Sequence, residues 1–155
     1  MHTVADFLDE AGRKAVAAAI ARAEAATDAE IRVHLEDHIE EDVLDHAVFI
    51  FEELGMQHTR WRNAVLIYIA VSDRAMAVVG DSGVNALVPT GYWDSVIDHM
   101  RERFRAGAHA EGICEAVAMV GERLAAHFPS TPGDTNELSN EVSIGSGAHR
   151  NTATR

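Results

Sequence analysis

The sequence predicts an α/β protein, a three-layer α/β/α sandwich around a small mixed sheet of three to four strands. Three observations carry this reading. Val65 to Val71 is an unbroken apolar run rich in β-branched residues; it suits a strand better than a helix, and one covered on both faces. Ala75 to Gly80 is a second apolar run, set off by Ser72-Asp73-Arg74, a connection of hairpin length. Stretches with apolar residues at helical spacing stand before and after these runs and supply the outer layers.

Taken in order, Asp9 is placed to cap a first helix through Val16, Ala19, Ile20 and Ala23 as far as Ala26. Its run AVAAAIARAEAA favours helix and offers a narrow face for close packing. Glu30 to Glu36, EIRVHLE, alternates: Ile31, Val33 and Leu35 share one face, and Glu30, Arg32, His34 and Glu36 the other. That pattern predicts a half-exposed strand nearer an edge than the other two. A second helix is expected from about Glu40 to Leu54, with Val43, Ala47, Ile50, Phe51 and Leu54 inward and Gly55 following its end. After the two apolar strands comes the turn Gly80-Asp81-Ser82-Gly83, with two oxygen-bearing side chains between two glycines. Thr90 is placed to cap a third helix through Trp93, Val96, Ile97, Met100 and Phe104, ended by Gly107. A fourth runs through Ile113, Val117, Val120 and Leu124 to Phe128 and stops at Pro129. One domain over residues 1–144 is expected, with 145–155 a disordered tail.

Composition narrows the function classes. Thirteen basic against 25 acidic residues give a net charge of −12, which disfavours nucleic acid and anionic membrane surfaces and favours divalent cations. A lone cysteine, Cys114, leaves no internal disulfide. No basic start with an apolar run marks a signal peptide, and no stretch is long enough to span a membrane, so a cytoplasmic monomer is expected.

A right-handed crossover makes the first two strands parallel, and the hairpin makes the third antiparallel. The end of the third strand then lies beside the starts of the other two. That edge gathers Asp28, Glu30, Asp81 and Asp94, with Asn63 adding a carbonyl, a hard-oxygen set suited to calcium or magnesium. The opposite edge competes. It holds Glu36, Asp37, His38, Glu40, Glu41, Asp42 and Asp73 at the carboxyl ends of the parallel strands, where open sheets commonly place ligands. HLEDHIEEDVLD reads there mainly as the solvated, acidic start of a helix.

The segments TDAEIRVHLE, FEELGMQHTRWRNAVLIYIAVSDR, GDSGVN, the Trp93 region and FPSTPGDTNELSNEVS, in that order, resemble the TPM domain, also called the TPM phosphatase domain. The likeness covers roughly residues 7–144 and is nearest to short soluble bacterial members. It implies a sandwich with about four strands, of which three are legible in the residues themselves. It also implies calcium or another divalent cation near the apical loops, with Asp81 and Asp94 on the metal side and Glu30 and Asn63 close by. Ala29 and Ala64 stand where the family usually has glycine.

The remaining chemistry is weak. GDSG echoes a serine protease nucleophile, but the chain is too short for that fold. Cys114 sits on an apolar helix face. The histidines lack a helical metal-binding pair. No nucleophile signature of a phosphatase is present, so phosphoester hydrolysis would need a metal-activated water, with Arg62 on the phosphate. Two functions remain open: a metal-binding module with an unidentified protein partner, and a metal-dependent acid phosphatase acting on a small phosphoester.

Overall fold

In the computed structural model, which describes residues 3–131 and 139–145, the apolar runs pair as the sequence requires. Strand β1 (Glu30–Glu36) lies parallel to β2 (Ala64–Ala70), with Ile31 beside Val65 and Leu35 beside Ile69. Strand β3 (Ala75–Gly80) returns antiparallel to β2. A two-residue strand, β4 (Ser143–Ile144), joins β1 in parallel, so the order is β3-β2-β1-β4. It is the fourth strand that the family resemblance implied.

Alternation along the strands divides the interior into two cores. Ile31, Val33, Leu35, Val65, Ile67 and Ile69 face α2 (Glu10–Glu24), α5 (Tyr92–Arg105) and α6 (His109–His127). Leu66 and Tyr68 face the other way and pack with Ala47, Ile50 and Phe51 of α3 (Val43–Glu53). The alanine-rich helix behaves as its small side chains dictate. Gly121 of α6 comes so close to Ala23 of α2 that a methyl group there would collide.

Four details differ from the sequence reading. Strand β1 is interior, between β2 and β4, and most of its polar face is buried: Glu30, His34 and Glu36 are 2%, 4% and 2% exposed. Alternation shows only that one face is polar; here that face is enclosed, and His46 of α3 meets Glu36 on it. Helix α3 starts at Val43, because Asp42 accepts from the Leu44 and Asp45 N–H groups and caps it there. Helix α5 starts at Tyr92 after Gly91, whose φ of 82° turns the chain without a side-chain cap, so Thr90 does not fill that role. A short helix, α1 (Val4–Phe7), precedes the first expected one and buries Val4 and Leu8 against the main core. Residues 146–155 and residue 137 of NELSNE lie outside the described residues.

Candidate functional site

The GDSGVN turn is built residue by residue. Asp81, 7% exposed, takes a two-pronged bond from Arg62, with Nε to Oδ2 and Nη2 to Oδ1 both at 2.6 Å. The same carboxylate accepts the Ser82 N–H at 2.7 Å and starts the short helix α4 (Ser82–Asn85). The hydrogen bonds and the charge of Asp81 also raise the Arg62 pKa. Gly83 donates its N–H to the Arg62 carbonyl at 2.8 Å, and any Cβ there would collide with the Trp61 and Arg62 carbonyl oxygens. Asn85 closes the turn: Nδ2 donates to the Gly80 carbonyl, and Oδ1 accepts from Trp93 Nε1 at 3.0 Å. This last residue was missed in the sequence, although it ends the motif that marked the turn.

The other expected residues divide. Asn63 is fully buried, and neither polar atom of its carboxamide has a partner among the described residues. Asp94 is exposed in the first turn of α5, which begins beside this turn because Trp93 lies against Gly80. Asp28 is committed elsewhere, accepting the backbone N–H and hydroxyl of Thr131. Glu30 is buried at the head of β1. Ala29 and Ala64, the two departures from the family's glycines, are fully buried and fill core space with their methyl groups.

Tested against a hard divalent cation, this donor set fits in kind. Asp81 and Asp94 offer carboxylate oxygens and Asn63 an amide carbonyl, and calcium accepts water in its remaining positions. It does not make a closed cage: among the described residues, no group of three or more His, Cys, Asp or Glu side chains is disposed to hold a metal. Arg62 occupies both Asp81 oxygens and would have to leave.

The opposite edge is more than a solvated helix start. Glu36 on β1 is shared by two imidazoles, His34 Nε2 at 2.9 Å and His46 Nε2 at 3.1 Å. His46 Nδ1–H donates to Glu41 at 2.6 Å, and His34 Nδ1 lies 2.8 Å from the Ser143 hydroxyl. Tyr68 lies alongside both rings. Burial pushes the Glu36 pKa up, but hydrogen bonding from His34 and the charges of His46 and His34 outweigh it, so the net shift is downward. Next to this closed network, His38 bridges Asp73 and Glu40 at the surface. The spacing did carry a signal for His46, which stands three residues after Val43 and four before Ile50, on the inward stripe of its helix. Cys114 is half-buried, and burial raises its pKa, so the thiol is not activated.

A four-stranded mixed sheet between helical layers, with a capped Arg–Asp turn at one end, defines a small α/β/α sandwich domain. Residues 2–123 match the TPM domain family, and the chain belongs to that family. It is similar to the BA42 protein of the psychrophilic bacterium Bizionia argentinensis, solved by NMR, at 38% identity with a TM-score of 0.84, covering 92% of this chain and 99% of that one. The N-terminal domain of a P. gingivalis protein shares the fold alone, at 22% identity and a TM-score of 0.66, covering 81% of this chain and 82% of that one. No curated protein matches the chain. Among the described residues, no helix is long and apolar enough to cross a membrane.

Proposed function

We propose that this TPM domain is a binding module that takes a divalent cation, calcium before magnesium, at the Asp81 edge. In this reading Arg62 is the resident counter-ion of Asp81 when no metal is bound. The observation that carries it is the Asn63 carboxamide, next in sequence to the Arg62 that pairs with Asp81, buried and without a partner among the described residues. A buried polar group with no partner is costly, and a cation would satisfy its carbonyl. Asp81, Asn63 and Asp94 would hold the ion, whose role is to neutralise the carboxylates and order the loops. The second reading, metal-dependent hydrolysis of a phosphomonoester, needs Arg62 free to meet phosphate. A cation at Asp81 would release Arg62, so this pairing is compatible with both readings, and metal-dependent turnover separates them.

Melting measured against calcium tests this. A ligand at 100 times its Kd that binds only the folded state stabilises by about 2.7 kcal/mol, which for a domain of this size is roughly 5–10 °C. Asp81→Asn should remove most of that increment, and Asp73→Asn, at the far edge, should not. Arg62→Gln removes the internal competitor and should strengthen the calcium response. A response that survives Asp81→Asn and is lost in Asp73→Asn would place the cation at the opposite edge. Metal-dependent turnover of a phosphomonoester that collapses in Asp81→Asn would favour the enzyme.

A further inference from the structure

The far end of β2, roughly 20 Å from Asp81 along the strand, holds a cleft of about 490 Å³. That volume lies within the range of small-molecule sites. Its apolar wall includes Ile69, Val71, Met76 and Phe104, and its polar lining includes Arg74, Arg101 and Arg105, with no acidic residue among the described residues. In a chain of net charge −12 with 13 basic residues, three arginines around one apolar cleft are a local reversal of charge.

Much of this has an ordinary explanation, and one part does not. Arg101 and Arg105 lie toward the C-terminal end of α5, where cations complement the helix dipole, and Arg101 bonds Asp98 at 3.2 Å. Arg74 belongs to the hairpin, far from that helix in sequence, and reaches the same cleft. It sits at φ 52°, a conformation that glycine adopts at lower cost. Its neighbour Asp73 gives its carboxylate oxygens to the Ile39 N–H and the His38 ring. The cleft is also firmly built. Phe7 stacks on His109 with centroids 4.0 Å apart, Phe104 meets Phe7 edge-on, and His109 Nδ1–H donates to the Phe7 carbonyl.

We propose that this cleft binds a small organic anion: a phosphate or carboxylate head held by Arg74 and Arg105, with an apolar body against Met76 and Phe104. Guanidinium groups present forked donors that match both heads. The apolar wall selects against a bare inorganic ion. The site is independent of the cation edge and involves binding alone.

Phenyl phosphate is the probe, with inorganic phosphate and benzyl alcohol as the head-only and body-only controls, followed in amide spectra of the full chain. Phenyl phosphate at millimolar concentration should give saturable shifts at Arg74, Met76, Phe104 and His109. Each control should bind at least about tenfold more weakly. Arg74→Ala retains a Cβ and so adds no backbone strain relative to arginine; it and Arg105→Ala should each weaken binding about fivefold to tenfold while leaving the melting temperature unchanged. Equal affinity for inorganic phosphate, equal affinity for benzyl alcohol, binding unaffected by both variants, or shifts confined to the Asp81 edge would each overturn the proposal. Only the last of these outcomes touches the Asp81 edge; the others leave the calcium response untouched.

Discussion

Glu36 shows how much one side chain can organise. A carboxylate 2% exposed would be strongly disfavoured alone. Here two imidazoles bond it, and a second carboxylate, Glu41, orients one of them. Glu36→Ala leaves both imidazole Nε2 atoms buried without their acceptor, so urea unfolding should show a loss of about 3–5 kcal/mol. Glu36→Gln keeps the shape and one acceptor and should cost clearly less. The network was only half legible in the sequence. The residues of EIRVHLE do share a face, but alternation cannot say whether that face meets water or another element. His46 lies on the inward stripe of α3, and pairing it with β1 requires the packing of the helix over the strand. At the Asp81 edge the same limit applies. The motif GDSGVN marked the turn, whereas the Arg62 pairing and the isolation of Asn63 are properties of packed side chains.

Among the elements, β4 owes little to burial. Ile144 is 44% exposed, so the strand is held by its ladder on β1, by the approach of Ser143 to His34, and by the Gly145 N–H donating to Leu35. A strand of two residues has no periodicity to read, which is why the residues showed three strands and only the family resemblance supplied the fourth. The longer elements were legible because their apolar residues recur often enough to fix a period. Ending the chain at Asn140 should expose the β1 edge and one side of the His34–Glu36 pair, and also lose Val142, which packs on the main core. Calorimetry should record a melting temperature lower by several degrees, since each lost backbone bond is worth about 0.5–1.5 kcal/mol. An unchanged value would show that β4 contributes nothing to the fold.

At the scale of the whole molecule, pH acts on the acidic surface and on the Glu36 network together. Glu36 has a pKa below the ordinary carboxylate value of 4.5. The unfolded chain therefore binds protons there more readily than the native state does. Its contribution is complete above the unfolded value and is lost as pH falls through the lower folded one. His38 goes the other way. Hydrogen bonds to Glu40 and then Asp73 raise its pKa above 6.5, so its smaller, surface contribution is complete below 6.5 and fades as pH rises through the folded value. Net charge adds to the second trend, because at −12 the chain repels itself, and acidification toward its isoelectric point near 5.0 relieves that. Stability should therefore be greatest between the two ordinary values, fall steeply in acid, and decline gently toward neutral and alkaline pH. Urea midpoints from about pH 3 to about pH 8 check this, with a variant for each limb. Glu36→Gln should flatten the acid limb, and His38→Asn should reduce the gentle one. An acid limb that remains as steep in Glu36→Gln would assign acid unfolding to other carboxylates and deny the buried network its part in it.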